Sequence, residues 1–326
     1  MKKVLFIHTA FIGDVILFTA ILEQWSRKYP ESKMDVLVRK GNESLVQNHP
    51  HVGKVYCWDK KQNKYQNLFK IIREIRNEKY DLVVNFQRFT ASGLVTILSK
   101  AKETRGFDKN PLSRFFSKKL PHEIGNGQHE TERNLSLIQD LVGDEKVLPK
   151  LYPTQEDLEI VKSYQSEKYV TMAPTSVWFT KQLPFEKWKE LIAMIPKDFK
   201  IFLLGAPGDL EFCNQLMKEN PEHLTTNLCG KLSLVQSAVL MQRAEMNYMN
   251  DSAPLHLASA MNAKTTAFFC STVPEFGFGP LAEHAKILQT EDQLDCRPCG
   301  LHGYKECPKS HFKCGYDINL KTNLEA

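Results

Sequence analysis

Short apolar runs alternate with longer amphipathic stretches along the first half of this chain. The apolar runs predict buried strands, at residues 4–7, 34–38, 55–57 and 81–86. The amphipathic stretches predict helices, at residues 13–29, 42–48 and 68–78. This β-α-β-α alternation is typical of a parallel sheet that is covered by helices on both faces.

The same alternation returns in the second half. The predicted strands are residues 169–173, 200–204, 246–249 and 265–269, and the predicted helices are residues 185–194, 210–218, 234–243 and 254–261. Between the halves, Pro149 and Pro153 interrupt the pattern, and Thr154 begins a helix with an acidic first turn. We therefore predict an α/β protein of two domains, residues 1–150 and 151–326, with a cleft between them. Ligands of such sheets bind beyond the carboxyl ends of the strands, so the residues that follow each strand are the candidates.

The composition is that of a globular protein rather than a disordered or fibrous one. Of the 326 residues, 42% are hydrophobic and 25% are charged, and eight are cysteines. The N-terminal segment looks like a secretory signal, but Asp14 interrupts it, and the apolar stretch at residues 15–22 is far short of the ~20 residues that span a bilayer. We expect a cytoplasmic protein whose cysteines are mostly reduced thiols or metal ligands.

The first candidate side chain follows the first strand. Asp14 stands near the N-terminus of the first helix, after Gly13, which permits a tight turn. One interpretation is that Asp14 stabilises the helix dipole, an effect of about 0.3–1 kcal/mol. The other is a carboxylate that the dipole keeps ionised and ready to accept a proton. The local sequence alone favours the first interpretation.

Polar groups also follow two strands of the second half. Thr175 and Ser176, with Lys181 a few residues later, are able to hold phosphate oxygens, although a solvated loop with an incidental lysine fits equally well. After the next strand, the glycines of residues 205–208 allow a ligand to approach the backbone, and Asp209 is able to accept hydrogen bonds from a ribose. A plain strand-to-helix turn is the simpler interpretation of this second loop.

The stretch at residues 249–257 is the most informative. Asp251 or Ser252 is placed to cap a helix that has Pro254 in its first turn, and such a helix start presents N–H groups to an anion. His256 lies about one turn further on, where it is either packed or functional. The sequence contains neither a dinucleotide-binding fingerprint nor a P-loop, which counts against NAD-dependent oxidoreductases and P-loop NTPases.

Five motifs, in order along the chain, resemble glycosyltransferase family 9, the ADP-heptose:lipopolysaccharide heptosyltransferases. They are Ile12-Gly13-Asp14-Val15, Thr180-Lys181-x-x-Pro184, Gly230-Lys231-Leu232-Ser233-Leu234, Asn250-Asp251-Ser252-x-Pro254-Leu255-His256-Leu257-Ala258 and Thr272-x-Pro274. The resemblance implies a GT-B architecture, in which two Rossmann-like domains face a central cleft. Residues 1–150 would bind the acceptor and residues 151–326 the nucleotide-sugar donor. It also implies inversion at the anomeric carbon, with no metal or other cofactor needed for catalysis.

The resemblance implies roles for particular residues. Asp14 would be the general base that deprotonates the acceptor hydroxyl, and Lys181 would offset the charge on the departing nucleotide, together with helix N-termini. The implied donor-binding set holds the diphosphate and sugar, with Asp209 near the ribose and Leu232 along the adenine pocket. The full set is Thr175, Ser176, Asp209, Leu232, Asp251, Ser252, Ala253 and His256.

Three departures from the family pattern surround these residues. The usual Lys-Arg-Trp-Pro is Lys181-Gln182-Leu183-Pro184, the glycine usual after Asp-Ser/Thr is Ala253, and the usual Gly-Pro-Thr is Cys270-Ser271-Thr272. The donor sugar is therefore less well defined than the reaction. A related GT-B enzyme with another sugar nucleotide is one alternative, and a catalytically silent or metal-dependent binding protein on the same fold is another. The presence of both Asp14 and Lys181 argues against a silent protein.

Four cysteines lie within 19 residues near the C-terminus, namely Cys296, Cys299, Cys307 and Cys314. Their spacing is that of a structural zinc site. A similar tail occurs in members of the resembled family, which is not known for a metal, and we therefore predict no metal site. Free thiols in an ordered loop and disulfides formed in air are the alternatives.

The charge distribution and the resemblance together predict the partners, an ADP-sugar donor and a lipid-linked oligosaccharide acceptor. The net charge of +5 is too small to indicate a nucleic acid, but residues 100–119 alone contain seven Lys or Arg against two acidic residues. Phe107, Phe115 and Phe116 are interleaved among them. A solvated loop is the simpler interpretation. We favour peripheral contact with phosphorylated glycolipid at the inner face of the cytoplasmic membrane, because anionic surfaces attract Lys and Arg by ~1 kcal/mol per residue.

Overall fold

A computed structural model describes residues 3–321 of the chain. The chain divides after Tyr152 into two compact units, which we call unit 1 and unit 2. Each unit contains one parallel six-stranded sheet with helices. The predicted α/β class with two Rossmann-like domains is confirmed.

Unit 1 has the strand order β3-β2-β1-β4-β5-β6, so the order reverses between β1 and β4. Its strands are β1 (Lys3–His8), β2 (Lys33–Arg39), β3 (Val52–Trp58), β4 (Leu82–Asn85), β5 (Glu103–Phe107) and β6 (Lys118–Leu120). Its helices are α1 (Ile12–Lys28), α2 (Lys64–Glu78), α3 (Thr90–Leu98), α4 (Glu130–Ser136) and α5 (Gln139–Val142). Asp14 follows the central strand at the reversal, which is where open α/β sheets bind ligands.

The central strand of unit 1 is buried on both faces, as the apolar run from Val4 to Ile7 predicts. His8 continues this strand into the core, where its ring stacks between Phe18 and Phe86, with ring centroids at 5.0 and 5.8 Å. Burial lowers the pKa of His8 to about 3, so its imidazole is neutral at physiological pH. His8 is therefore a core residue.

Unit 2 repeats the topology with the strand order β12-β11-β10-β7-β8-β9 and a reversal between β7 and β10. Its strands are β7 (Tyr169–Ala173), β8 (Lys200–Leu203), β9 (Thr225–Asn227), β10 (Met246–Asn250), β11 (Thr265–Phe269) and β12 (Ala285–Gln289). Its helices are α6 (Gln155–Lys162), α7 (Phe185–Met194), α8 (Leu210–Lys218), α9 (Leu234–Gln242), α10 (Ala253–Ala260) and α11 (Lys313–Tyr316). The predicted start of α6 is confirmed, because Thr154 and Asp157 form a reciprocal capping box.

The core of unit 2 includes the cysteine-rich end of the chain. Trp188 packs edge-on against Phe268 in the centre of this core, with ring centroids 5.3 Å apart. Phe312 and Cys314 join the same cluster and are 5% and 4% exposed. The segment at residues 296–314, which we call the Cys-rich segment, is therefore part of the folded unit.

The helix predicted at residues 42–48 is wrong. The structure has one turn of 3₁₀ helix there, Glu43–Leu45. Asn42 donates through its side chain to the carbonyl oxygen of Ala10 at 3.1 Å, and His49 lies 3.0 Å from the carboxylate of Glu23 on α1. These contacts fix both ends of the segment to the loop after β1 and to α1, so the backbone closes a loop instead of continuing a helix.

The described helices include none that combines the length and the apolar character needed to cross a membrane.

Candidate active site

The reversal point of the sheet in unit 2 brings together two predicted residues that are far apart in sequence. Lys181 follows β7 and Asp251 follows the neighbouring strand β10. The Lys181 Nζ atom lies 2.7 Å from Asp251 Oδ2. The hydroxyl of Thr272, which follows β11, donates to the same carboxylate oxygen at 2.6 Å. The residues that follow three adjacent strands of the sheet, β11, β10 and β7, thus form one hydrogen-bonded cluster.

The backbone around Lys181 is held by contacts to the neighbouring strand ends. Residues Phe179–Lys181 form one turn of 3₁₀ helix, and the N–H of Leu183 then donates to the side-chain oxygen of Asn250 at 2.8 Å. The Gln182 side chain donates to the carbonyl oxygen of Ser176 at 2.7 Å. Gln182, a position that departs from the family pattern, thus has its side-chain partner within the loop, and the backbone of Leu183 is fixed to the end of β10.

Helix α10 begins next to this cluster. Ser252 occupies the position before the first turn, and its hydroxyl is directed to the carbonyl oxygen of Asn250, at 3.4 Å. Within residues 3–321, no side chain caps this helix, because Asp251 is engaged with Lys181 and Thr272. Pro254 has no N–H, and the N–H of Leu255 donates to the carbonyl oxygen of Ser252 at 3.0 Å, so the N–H of Ala253 is the donor that the first turn presents to an anion.

Three other predicted donor-binding residues lie buried or half-buried in unit 2. His256 is buried inside α10, 4% exposed, with its ring edge-on to Phe278 at 6.4 Å. Thr175 and Ser176 directly follow β7 and are half-buried. These side chains lie on the same elements as Lys181 and Asp251.

The ends of β8 and β9 form a second part of this edge. The Asp209 carboxylate accepts the N–H of Ala206 at 2.7 Å, so it stabilises the turn that leads into α8. A Cβ atom on Gly205 would lie 2.9 Å from both Asp209 and the sulfur of Cys229, which is why only glycine fits. Gly230, at a φ of +72°, packs on Pro207, and Leu232 stands half-buried two residues later.

Unit 1 places Asp14 in the first turn of α1, half-buried. A second carboxylate, Glu130 at the start of α4, lies within electrostatic reach of it and is only 8% exposed. Glu130 forms an ion pair with Arg133, whose Nε and Nη2 atoms are each 2.9 Å from Glu130 Oε2. Burial raises the pKa of Glu130 to about 7; Arg133 opposes this shift and the negative charge of Asp14 adds to it. The Asp14 region thus contains a carboxyl group that titrates near neutral pH.

The Cys-rich segment contains free thiols. Its four cysteines line one cavity of about 220 Å³, and burial raises the pKa of Cys314 to about 12. In the part of the chain that the structure describes, no group of three or more His, Cys, Asp or Glu side chains is arranged to hold a metal ion. Of the two alternatives left open, the free thiols describe this structure.

The basic stretch at residues 100–119 is only partly the surface that the sequence predicts. Phe107 and Phe116 are buried, 1% and 8% exposed, so the expectation that they meet a membrane is wrong; Phe115 is 56% exposed. Arg105 is also buried, in an ion pair with Asp140. The apolar rings fill the space beneath the loop between β5 and β6, and the guanidinium needs its acidic partner because it is out of water.

Other basic residues of the stretch lie at opposite edges of the sheet. Lys102 precedes β5 and pairs with Asp81 at 2.7 Å, whereas Lys109 and Arg114 follow β5 and are exposed. The local excess of charge is therefore divided between two surfaces.

Comparison with known proteins agrees with this fold. The sequence profile of glycosyltransferase family 9 (heptosyltransferase) matches residues 68–306. Lipopolysaccharide heptosyltransferase 3 of Escherichia coli is 26% identical over 277 residues, which cover 80% of this chain and 82% of that protein.

Solved structures share the fold. A glycosyl transferase family 9 protein of Veillonella parvula DSM 2008 superposes with a TM-score of 0.83 at 21% identity, over 90% of this chain and 88% of that one. The ADP-heptose LPS heptosyltransferase II of E. coli superposes with a TM-score of 0.78 at 19% identity, over 91% and 95% of the two chains.

Two units, each with a parallel six-stranded sheet and helices, are the GT-B architecture that these heptosyltransferase structures share. The family profile covers most of the chain. The chain belongs to glycosyltransferase family 9.

Sequence reasoning did not assign several residues that complete the site. Thr272 belongs to the Thr272-x-Pro274 motif, and its hydroxyl is the feature from which a hydrogen bond to Asp251 could have been predicted. Glu130 and Arg297 had no such signal, because the burial of Glu130, its proximity to Asp14 and the carbonyl partners of Arg297 arise only in the folded chain.

Proposed function

We propose that this chain is an inverting heptosyltransferase that moves heptose from ADP-heptose to a lipopolysaccharide core-type acceptor. The observation that carries the proposal is the Lys181–Asp251–Thr272 cluster at the reversal point of unit 2, beside the start of α10. A lysine and helix N–H groups at one place are suited to bind a diphosphate. Similar proteins are named lipopolysaccharide heptosyltransferase 3 and ADP-heptose LPS heptosyltransferase II, which supports this donor and acceptor.

In the proposed reaction, Asp14 accepts the proton of the acceptor hydroxyl as its oxygen attacks the anomeric carbon. The bond between that carbon and the diphosphate oxygen breaks on the opposite face, and the electron pair leaves with ADP. Lys181 and the backbone N–H groups of Ser252 and Ala253 stabilise the negative charge that grows on the diphosphate. Thr175 and Ser176 assist at the diphosphate, while Asp251 and His256 hold the sugar side of the donor.

The ion pair between Lys181 and Asp251 has a further consequence for the donor. Lys181 is paired before any ligand arrives, so a diphosphate must compete with Asp251 for its ammonium group. The Thr272 hydroxyl remains with Asp251 when Lys181 changes partner, and it limits the cost of leaving that carboxylate without its cation.

A related enzyme with another ADP-sugar is the second candidate. The observation that favours it is that the positions departing from the family pattern adjoin Lys181 and Asp251; they are Gln182, Leu183, Ala253, Cys270 and Ser271. A changed wall around the sugar would select another sugar while the diphosphate contacts stay the same.

A donor panel tests the proposal. The purified chain is given ADP-heptose, another ADP-hexose and a UDP-hexose in turn with a heptose-deficient core acceptor. Nucleotide release is measured, and the anomeric configuration of the product is determined by NMR. We expect ADP-heptose to give the largest kcat/KM and an inverted product. A preference for another ADP-sugar would replace the sugar in the proposal, and a retained configuration would remove Asp14 as the base.

A further inference from the structure

The Cys-rich segment contacts the residues of unit 2 that surround Lys181 and Asp251. We propose that Arg297 and Gly303 are positioning residues that fix Lys181 and Asp251 in place for a diphosphate without touching it. The inference rests on the proposed function, because it assigns the diphosphate to Lys181. Two separate sets of contacts carry it, one through Arg297 and one around Gly303.

The first set starts at the Arg297 guanidinium. Its Nε atom donates to the carbonyl oxygen of Cys270 at 2.7 Å, and Nη2 donates to that of Thr272 at 2.8 Å and to that of Phe269 at 3.2 Å. Residues Phe269–Thr272 are at most 1% exposed, so water cannot replace these donors. A planar guanidinium is able to serve several carbonyl groups at once, which a lysine cannot do with the same geometry.

Three successive contacts connect Arg297 to Lys181. Arg297 fixes the backbone of Thr272, the Thr272 hydroxyl donates to Asp251 at 2.6 Å, and the same Asp251 oxygen pairs with Lys181 at 2.7 Å. Each link is a short hydrogen bond to a charged group or to a buried carbonyl. A shift of the chain after β11 is therefore transmitted to the carboxylate that holds the lysine.

The second set joins the Cys-rich segment to the residue before Lys181. The N–H of Tyr304 donates to the Thr180 hydroxyl at 2.8 Å, and the N–H of Thr180 donates to the carbonyl oxygen of Tyr304 at 3.1 Å. Ser271 ties the two sets together: its hydroxyl donates to that of Thr180 at 2.9 Å, and its carbonyl oxygen accepts the N–H of Cys299 at 2.8 Å.

Gly303 makes this approach possible. Its φ is +76°, and a Cβ atom there would lie 2.8 Å from Thr180 Oγ1, 3.1 Å from Lys181 Cγ and 3.1 Å from Ser271 Oγ. Gly300 in the same segment also has a positive φ, +64°, but a Cβ atom there would meet only Tyr304, at 3.4 Å or more. An alanine at either position is strained by its backbone conformation, and only the alanine at 303 presses on the lysine.

The geometry matters because a charge contributes most when it is held in place before the ligand arrives. Sites of this kind need their groups within about 0.5 Å of the working position. Displacement of Lys181 removes attraction for the diphosphate, but it leaves the adenosine contacts unchanged. It also reduces stabilisation of the leaving group, so kcat falls together with affinity.

The test compares Gly303→Ala with Gly300→Ala, and Arg297→Lys with the wild type. Binding of ADP and of adenosine is measured by calorimetry, and Tm is recorded for each variant. We expect Gly303→Ala to weaken ADP about tenfold or more, Gly300→Ala to stay within about twofold, and adenosine binding to change little in both. Arg297→Lys should also weaken the binding of ADP while leaving that of adenosine nearly unchanged. This variant tests the inference if Gly303→Ala does not fold.

A double-variant cycle separates positioning from a general structural defect. In a Lys181→Ala background, Gly303→Ala should cause no further loss of ADP affinity, because the group that it displaces is already gone. An equal loss in both backgrounds, or equal ADP affinities for Gly303→Ala and Gly300→Ala, would overturn the inference. A wild type that binds ADP no better than adenosine would instead overturn the proposed diphosphate role of Lys181, and the inference with it.

Discussion

At the scale of single residues, the two proposed catalytic groups have different surroundings. Lys181 is 15% exposed and already paired with a carboxylate, whereas Asp14 is half-buried at a helix start near Glu130. The position of Lys181 is thus fixed by its ion pair with Asp251, whereas Asp14 interacts electrostatically with a nearby carboxyl group, Glu130. Their replacement should affect different steps.

Asp14→Asn should leave donor binding unchanged and slow transfer. The amide has almost the same shape as the carboxylate but cannot accept the acceptor's proton, and general base catalysis contributes typically ~10²–10⁴-fold. Single-turnover rates with ADP-heptose, together with ADP affinity, check this. Turnover at the wild-type rate would mean that another group is the base.

Glu130 should make the free energy of unfolding depend on pH. Its pKa is about 7 in the folded protein and near 4.5 ordinarily, so the folded state binds the proton more tightly. The free energy of unfolding contributed by this group therefore falls as the pH rises from about 4.5 to about 7, by about 3 kcal/mol in all. Denaturant unfolding of the wild type and of Glu130→Gln at several pH values across this interval measures the free energy of unfolding. The decrease that Glu130 causes between pH 4.5 and 7 should be absent from the variant.

Glu132 on the same helix is the matched control. A hydrogen bond from Lys146 holds the pKa of Glu132 below its ordinary value, so this carboxyl is ionised in both states above pH 5. Glu132→Gln should thus keep the wild-type slope between pH 5 and 7. If Glu130→Gln also kept that slope, the neutral-pH titration would not belong to Glu130.

The residues that the sequence identified are those that follow strands made of apolar runs. Lys181 and Asp251 could be predicted because β7 and β10 are apolar enough to be recognised and because the motifs around them are distinctive. Glu130 could not be predicted. Its near-neutral pKa comes from burial and from Asp14, and neither is visible in the local sequence.

At the scale of elements, the sequence predicts strands that consist of apolar residues but not a strand that contains a buried, ion-paired arginine. β5, with the sequence Glu103-Thr-Arg-Gly-Phe107, was not predicted because its central arginine looks like a surface residue. In the folded unit Arg105 is neutralised by Asp140 of α5, and the strand pairs with β4. Tertiary ion pairing thus determines an element that periodicity alone assigns to a loop.

We propose that, within the basic stretch, the residues at the carboxyl edge of the unit 1 sheet are the ones that contact an anionic lipid surface. Phe89 and Phe115 are 64% and 56% exposed there. Asn110 joins their loops by donating to the carbonyl oxygens of Gln87 and Phe89, at 2.9 and 3.0 Å. Exposed rings beside Lys109 and Arg114 combine apolar contact with charge attraction.

Lys109→Ala combined with Arg114→Ala should weaken binding to vesicles that contain anionic lipid. Two cations at ~1 kcal/mol each amount to roughly a 30-fold loss of affinity. Lys100→Ala is the control, because Lys100 is equally exposed but precedes β5, at the other edge of the sheet. Co-sedimentation with anionic and zwitterionic vesicles measures the effect. Equal losses for the control, or no loss for the double variant, would exclude this edge as the membrane contact.

At the scale of the whole molecule, ADP should stabilise the fold by mass action. A ligand at 100 times its Kd adds about 2.7 kcal/mol to the free energy of unfolding. Thermal scans with and without ADP should show this increase for the wild type. Lys181→Ala should reduce the increase at the same ADP concentration. Lys189→Ala, at a half-buried, ion-paired lysine of α7, should retain it. An undiminished increase in Lys181→Ala would place the diphosphate elsewhere.

The contacts that hold the Lys181 loop also constrain the order in which the molecule is completed during translation. Thr180 and its partner Tyr304 are 124 residues apart. At ~5–20 residues per second, a ribosome needs roughly 6–25 s to make that interval. Unit 1 is fully synthesised long before, so it is able to fold while the loop of unit 2 still lacks Tyr304 and Arg297. A nascent chain that stalls between the synthesis of Thr180 and that of Tyr304 would contain a complete unit 1. Its Lys181 loop would still lack the contacts to Tyr304.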